Sequence, residues 1–403
     1  MAPLKTNFFI LPIVCLALYS FRSGAQEDQS RISFDFYGSA IEFPYDRSTG
    51  VAFPGPLSTE AVQNFYNKIL KTEYSPIVEA LLSYKTEQQP DDWLFYQLIR
   101  KTAEQISPKS ENYQRYTLYK WFLLCQSGYD ATLAISNDRL LFYVQSDENI
   151  YNIPYRIRDG KQYVCLNYHD YGQIAFEKEF FTEVVIRNPV ASRIFSYKIT
   201  QLPGFSSQDY QEKELSFDFY ETRYQFKVKL NPQVKAIFTN YPVVDYESYF
   251  NIPLSSETYR SLISSLKQNT RGMTIKNGVD YLMRFTRYAF LFENDTDAFG
   301  KEKRLSPEET LLYGQSDCED RAALFFYLVR EIYNLPMIVL AYPRHVTVAV
   351  QFNRPVGHTI VHKGRKYTIC EPTPQNRDLY LGELIPDLHN TPYEIVYTYN
   401  PQR

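Results

Sequence analysis

The chain has 403 residues, 43 Lys plus Arg against 46 Asp plus Glu, and a formal net charge of −3. That balance leaves no polycationic surface for nucleic acid and no basic run for an anionic membrane. The length accommodates two or three domains with cores of their own, and the 36 Tyr and 28 Phe suit aromatic-rich strands better than a sugar-stacking platform.

The N-terminal stretch MAPLKTNFFILPIVCLALYSFRSGAQEDQS reads as a targeting segment. One Lys precedes an apolar run from Phe8 to Phe21, and Ser23-Gly24-Ala25 closes it with small residues. The run is too short to span a bilayer comfortably, and bulky Val14 before Cys15 disfavours a lipid anchor. Residues 1–25 are therefore expected to be a signal peptide, with Gln26 opening an exported chain that acts in the periplasm, at the cell surface or outside the cell. No transmembrane segment is expected after its removal. Cys125, Cys165, Cys318 and Cys370 then remain, which is no disulfide framework. With no CxxC, no HExxH and five scattered histidines, the sequence calls for neither a metal nor another cofactor.

Two segments share the pentamer SFDFY, at Ser33–Tyr37 and Ser216–Tyr220. Downstream of each copy, similar segments recur in the same order. ISFDFYGSAIEF answers LSFDFYETRYQF, with Phe43 matching Phe226. PLSTEAVQNFYNKIL and PLSSETYRSLISSL each begin a helix with Ser or Thr ahead of Glu, whose oxygens accept orphan amide hydrogens. DDWLFYQLIRKTAEQ stands beside VDYLMRFTRYAFLF, both of helical period. ISPKS and LSPEE come next, then an apolar helix, a turn and β-branched strands. RDGKQYVCLNY and HKGRKYTICEP each close with a glycine turn and a strand. The sequence thus predicts an internal duplication. Domains are expected at 31–170 and 251–395, with a small β-rich linking unit at 171–250 that contains the alternating segment before Pro203-Gly204.

Chemistry is concentrated in the second copy. In GQSDCEDRAALFFYLV, Cys318 falls at a helix start, where the dipole and unpaired amides favour thiolate over thiol. His345 opens the strand HVTVAV and Glu371 ends YTICEP. Thiol, imidazole and carboxylate from a helix start and two strand ends suit nucleophilic acyl chemistry. Gln315 offers a side-chain amide to an oxyanion, or serves only the loop backbone. Cys370, next to Glu371 on a strand, faces the opposite way and reads as core; His358 and His362 read as exposed.

These residues resemble the transglutaminase-like superfamily, with its G-x-x-D-C-x-x-x-A helix start, its His opening a strand and its D-P-T strand end. The resemblance covers Ser306 to near Leu384. It implies an α+β, papain-like core of one helix packed on an antiparallel sheet, and a Cys318–His345–Glu371 triad in which Glu stands where Asp is usual. The expected function is cysteine-dependent hydrolysis of a peptide or cell-wall-like amide through a thioester. Amine transfer and a non-catalytic scaffold with a residual triad are the alternatives. A protein or peptide is the expected partner. In the first copy Asn112, Arg139 and Asn167 fall at the three positions, and the loop before the helix is seven residues shorter, so that copy is expected to be inactive.

Overall fold

The computed structural model describes residues 30–172, 174, 178–186, 192–292 and 303–401. The expected signal peptide at 1–25 lies outside these residues. The architecture is α+β, built from two similar helix-and-sheet halves.

The first half opens with a hairpin of β1 (Ser30–Phe36) and β2 (Ser39–Tyr45). Four helices follow: α1 (Thr59–Ile69), α2 (Ser75–Gln88), α3 (Asp92–Ile106) and α4 (Tyr113–Gln126). The strands are β3 (Ala131–Ser136), β4 (Arg139–Gln145), β5 (Ile150–Tyr151), β6 (Tyr155–Arg158), β7 (Lys161–Cys165) and β8 (Thr182–Val184). The second half opens with β9 (Gln211–Phe219) and β10 (Thr222–Leu230), then α5 (Val234–Phe238), β11 (Val243–Val244) and α6 (Tyr246–Phe250). Next come α7 (Ser256–Asn269), α8 (Ile275–Tyr288), β12 (Leu291–Phe292), α9 (Pro307–Tyr313), β13 (Gln315–Ser316) and α10 (Cys318–Tyr333). β14 (Met337–Tyr342), β15 (His345–Val350), β16 (Thr359–His362), β17 (Arg365–Cys370) and β18 (Glu394–Tyr399) complete it.

The repeated pentamer does the same work twice. In each copy its first four residues end a strand, and its Tyr enters the turn with positive φ, 52° at Tyr37 and 53° at Tyr220. Phe36 pairs with Ser39 and Phe219 with Thr222, so both are two-residue hairpins of the kind that left-handed turn residues make. The registers agree further out, where Ile32 faces Phe43 and Leu215 faces Phe226.

Each half then lays its last helix on a five-stranded antiparallel sheet. The orders are β6-β7-β4-β3-β8 and β16-β17-β15-β14-β18. Paired in chain order, these are one topology, and a single duplicated unit accounts for both. The 171–250 segment is divided between them. β8 pairs with β3 as the edge of the first sheet, whereas β9 and β10 form the hairpin of the second half.

α10 explains why the second sheet is buried on its inner face. Ala322, Ala323, Phe325, Phe326 and Val329 are inaccessible and pack on alternate residues of β14 and β15. Phe326 also meets Phe250, Tyr397 and Tyr399 at 5.3, 5.5 and 5.7 Å between ring centroids, tying the helix to α6 and β18. Each such ring contributes about 1.5–3 kcal/mol by leaving water. This packing anchors the helix that begins at Cys318.

Candidate functional site

α10 starts where it does because Asp317 caps it. The Asp317 carboxylate accepts the Asp320 amide at 3.1 Å, leaving Cys318 as the first helical residue. Ahead of it, α9 is closed by Gly314 at φ 74°, and β13 then pairs in parallel with β12, Leu291 facing Gln315. Gln315 is half-buried in this paired loop.

The strands deliver the other two groups. His345 is the first residue of β15, and Glu371 directly follows β17, which pairs with β15. His345 Nε2 lies 2.8 Å from Glu371 Oε2, and the second oxygen, Oε1, accepts the Thr373 amide at 2.9 Å. Glu371 is fully buried, whereas His345 keeps 12 % of its side chain exposed. The His345 side chain and the Val346 backbone lie close enough to the Cys318 thiol to favour its ionisation. Cys318, His345 and Glu371 thus converge, and the longer acid reaches the imidazole from its strand end.

Charge here departs from one expectation. A helix-start thiol should ionise readily, but burial pushes the Cys318 thiol up, and Asp317 adds to that rise. The hydrogen bond and charge of His345 work in the opposite direction. Burial would lower His345, yet Glu371 and the Cys318 sulfur together hold its pKa up at about 10. A cation on His345 is thus the influence that offsets burial at the Cys318 thiol.

The remaining cysteines do not join. Cys125, Cys165 and Cys370 are free and buried, and burial pushes each thiol up. Cys370 packs in the main core while its neighbour Ile369 belongs to a separate cluster on the other sheet face. His358 lies on the surface near His389, and His362 is 3.3 Å from Thr398. Among the described residues, no three His, Cys, Asp or Glu side chains are grouped to hold a metal.

Several neighbours were not legible as site residues. Arg304 donates to Glu319 at 2.7 Å, and Tyr246 reaches the other oxygen of Glu319 at 3.4 Å, one residue from Cys318. Both also line a groove of about 540 Å³ that includes Tyr151 and Asn152 of the first half and Glu394 and Ile395 of β18. Asp320 is buried and accepts both the Leu305 amide at 2.8 Å and the Tyr249 hydroxyl at 2.9 Å.

The first half has a different constellation at the equivalent place. Asn112 caps α4 as Asp317 caps α10, so Tyr113, and not Asn112, stands where Cys318 stands. Ser107 precedes Tyr113 by six residues and Ser306 precedes Cys318 by twelve, so the second half has six more residues here, in the stretch that forms α9 and β13. Tyr113 donates to Asp170 at 2.7 Å and accepts from Asn167 at 3.0 Å. Asn167 is fully buried and spends its remaining bonds on Phe142 and Leu140. Arg139, in place of His345, is held by Glu179 at 2.8 Å. A Tyr113→Cys variant should therefore gain no second reactive thiol, because Arg139 stands where the imidazole would be and the facing Asp170 carboxylate opposes a thiolate. Brief iodoacetamide treatment followed by peptide mass mapping should find Cys318 alone modified; equal modification of residue 113 would contradict this.

No protein-family model matches the chain, and no curated protein does. Geometry alone must carry the functional reading.

Proposed function

We propose that the second half is a transglutaminase-like, papain-like catalytic unit whose Cys318 attacks amide carbonyls. The observation that carries this reading is the buried Glu371 carboxylate 2.8 Å from His345, whose ring in turn acts on the Cys318 thiol. A scaffold has no need to bury a carboxylate against a protonatable ring beside a half-exposed thiol.

In the proposed cycle, Cys318 reacts as thiolate beside protonated His345: its sulfur forms a bond to the substrate carbonyl carbon and the carbonyl electrons move to oxygen. The side-chain amide of Gln315 and the first-turn amides of α10 are the donors at hand for that oxyanion. Collapse breaks the C–N bond, and the His345 proton goes to the departing amine, leaving a thioester. Neutral His345 then takes a proton from water, hydroxide adds to the thioester, and the acid and thiol are released. An amine in place of water would give transfer. Hydrolysis is the first choice for an exported enzyme, and the expected export is part of this proposal. The groove beside Glu319 offers an extended peptide a seat, with Tyr151 as the first half's contribution.

Thiol reactivity tests the reading without a known substrate. Iodoacetamide should modify Cys318 before Cys125, Cys165 and Cys370, at a rate that climbs through alkaline pH and falls in His345→Ala. A Cys318 no faster than a free thiol, and indifferent to His345→Ala, would leave the scaffold reading in its place.

A further inference from the structure

We propose that Arg287 and Arg321 form a clamp that fixes the thiol-bearing helix to the acid-bearing strand, with Arg287 the positioning residue for Glu371. The inference rests on the triad reading above, although its test needs no turnover.

Arg321 follows Cys318 by three residues in α10 and is wholly inaccessible. Its guanidinium donates to the carbonyls of Thr286 at 2.7 Å, Arg287 at 2.9 Å and Phe290 at 3.1 Å. It also reaches Leu291 and, through Nε, the Ser316 carbonyl at 3.4 Å in the loop that leads into Cys318. Thr286 and Arg287 lie in the last turn of α8, whose carbonyls have no partners within the helix. One side chain of α10 thus closes the end of α8 and the nucleophile loop together.

Arg287 continues the path. It is 2 % exposed and donates to the Glu371 carbonyl, to the Leu379 carbonyl at 3.0 Å and to the Asp378 carboxylate at 2.6 Å. Glu371 faces His345, and His345 faces Cys318. The circuit from thiol through both guanidiniums to the acid and back is closed.

Burying two guanidiniums is costly, so a fold that needs only stability does without them. The first half demonstrates this within the same chain. Asp92-Trp93 aligns with Asp280-Tyr281, which puts the inaccessible Ile99 where Arg287 stands. The matched helix caps put Tyr116 where Arg321 stands. That half builds the same sheet order with no guanidinium at either position; Arg100, the residue after Ile99, pairs instead with Tyr116 and Gln97, and the half also lacks the thiol, the imidazole and the acid at the matched positions. The clamp accompanies the chemistry and not the fold.

The test is the titration of His345, read by NMR of the ring Cε1–Hε1 signal in histidine-labelled protein and assigned with His345→Gln. Cys318 and Glu371 are the ionisable groups that face this ring. In the wild type the signal should titrate near 10. In Arg287→Met, release of the Glu371 backbone should withdraw the carboxylate and lower the midpoint by about 1–3 pH units. Asp378→Asn, at a side chain 36 % exposed, should fold and shift the midpoint the same way by less. Arg287→Lys should restore little, because one ammonium cannot span three acceptors in a fixed fork. If Arg287→Met does not fold, Asp378→Asn decides. Folded variants that titrate at the wild-type pH overturn the clamp alone, whereas a wild-type His345 titrating near 6.5 overturns the clamp and the triad reading with it.

Discussion

Replacing Cys318 with alanine should remove amide turnover, a loss on the order of 10⁶-fold if the residual rate reflects binding and oxyanion stabilisation only. Alanine is the best helix former at that position, and Cys318 is only half-buried, so the fold should be undisturbed. His345→Ala should cost nearly as much. The thiolate would lose its cationic partner, and the leaving amine would lose its proton donor, so each step that the pair serves fails with either partner gone. The double variant should be scarcely worse than either single one. The measurement is release of free amine from a panel of peptide amides, at matched concentrations of folded protein. Turnover in Cys318→Ala at the wild-type rate would place any amide chemistry elsewhere in the molecule.

The parts of this structure legible in the sequence were those fixed by local backbone chemistry. SFDFY could be read as a strand end because its side chains alternate in burial, and twice it ends in a Tyr that takes the left-handed turn. Cys318 could be placed at a helix start because Asp317 is a capping residue. His345 and Glu371 could be placed at strand ends because the apolar alternation begins and stops beside them. What escaped depends on contacts between elements. Arg287 and Arg321 lie in helical segments with other charged residues and no local pattern sets them apart, although both are buried on carbonyls distant in sequence. Tyr113 was obscured by its neighbour Asn112, since a one-residue choice of gap decides which aligns with Cys318, and only the cap contacts settle it. The affiliation of β8 with the first sheet rests on pairing with β3 across some fifty residues, which no local pattern announces.

Electrostatics also escaped the sequence, and Glu371→Gln is the variant that exposes it. The amide keeps the shape of the acid but not its charge. Without the carboxylate, His345 loses the largest influence that raises its pKa, and burial should then carry it well below about 10. Turnover should fall by about 10²–10⁴-fold, less than for Cys318→Ala, because the amide oxygen can still accept the Nε2–H while the amide nitrogen can also impose the wrong tautomer. The pH profile should change in kind. In the wild type the rate should climb as the Cys318 thiol ionises and decline as His345 gives up its proton near 10. In Glu371→Gln the descending limb should move to lower pH. Stability should follow the same proton. A folded-state pKa raised above the unfolded value near 6.5 stabilises fully below 6.5, and this contribution is lost as pH rises through about 10. The stability gap between wild type and Glu371→Gln, measured by urea unfolding, should therefore be wide at pH 6, narrower at pH 8 and smallest above pH 10. A gap that stays constant across that window would mean that Glu371 does not hold the proton on His345, and the carboxylate would have to be assigned a purely structural part.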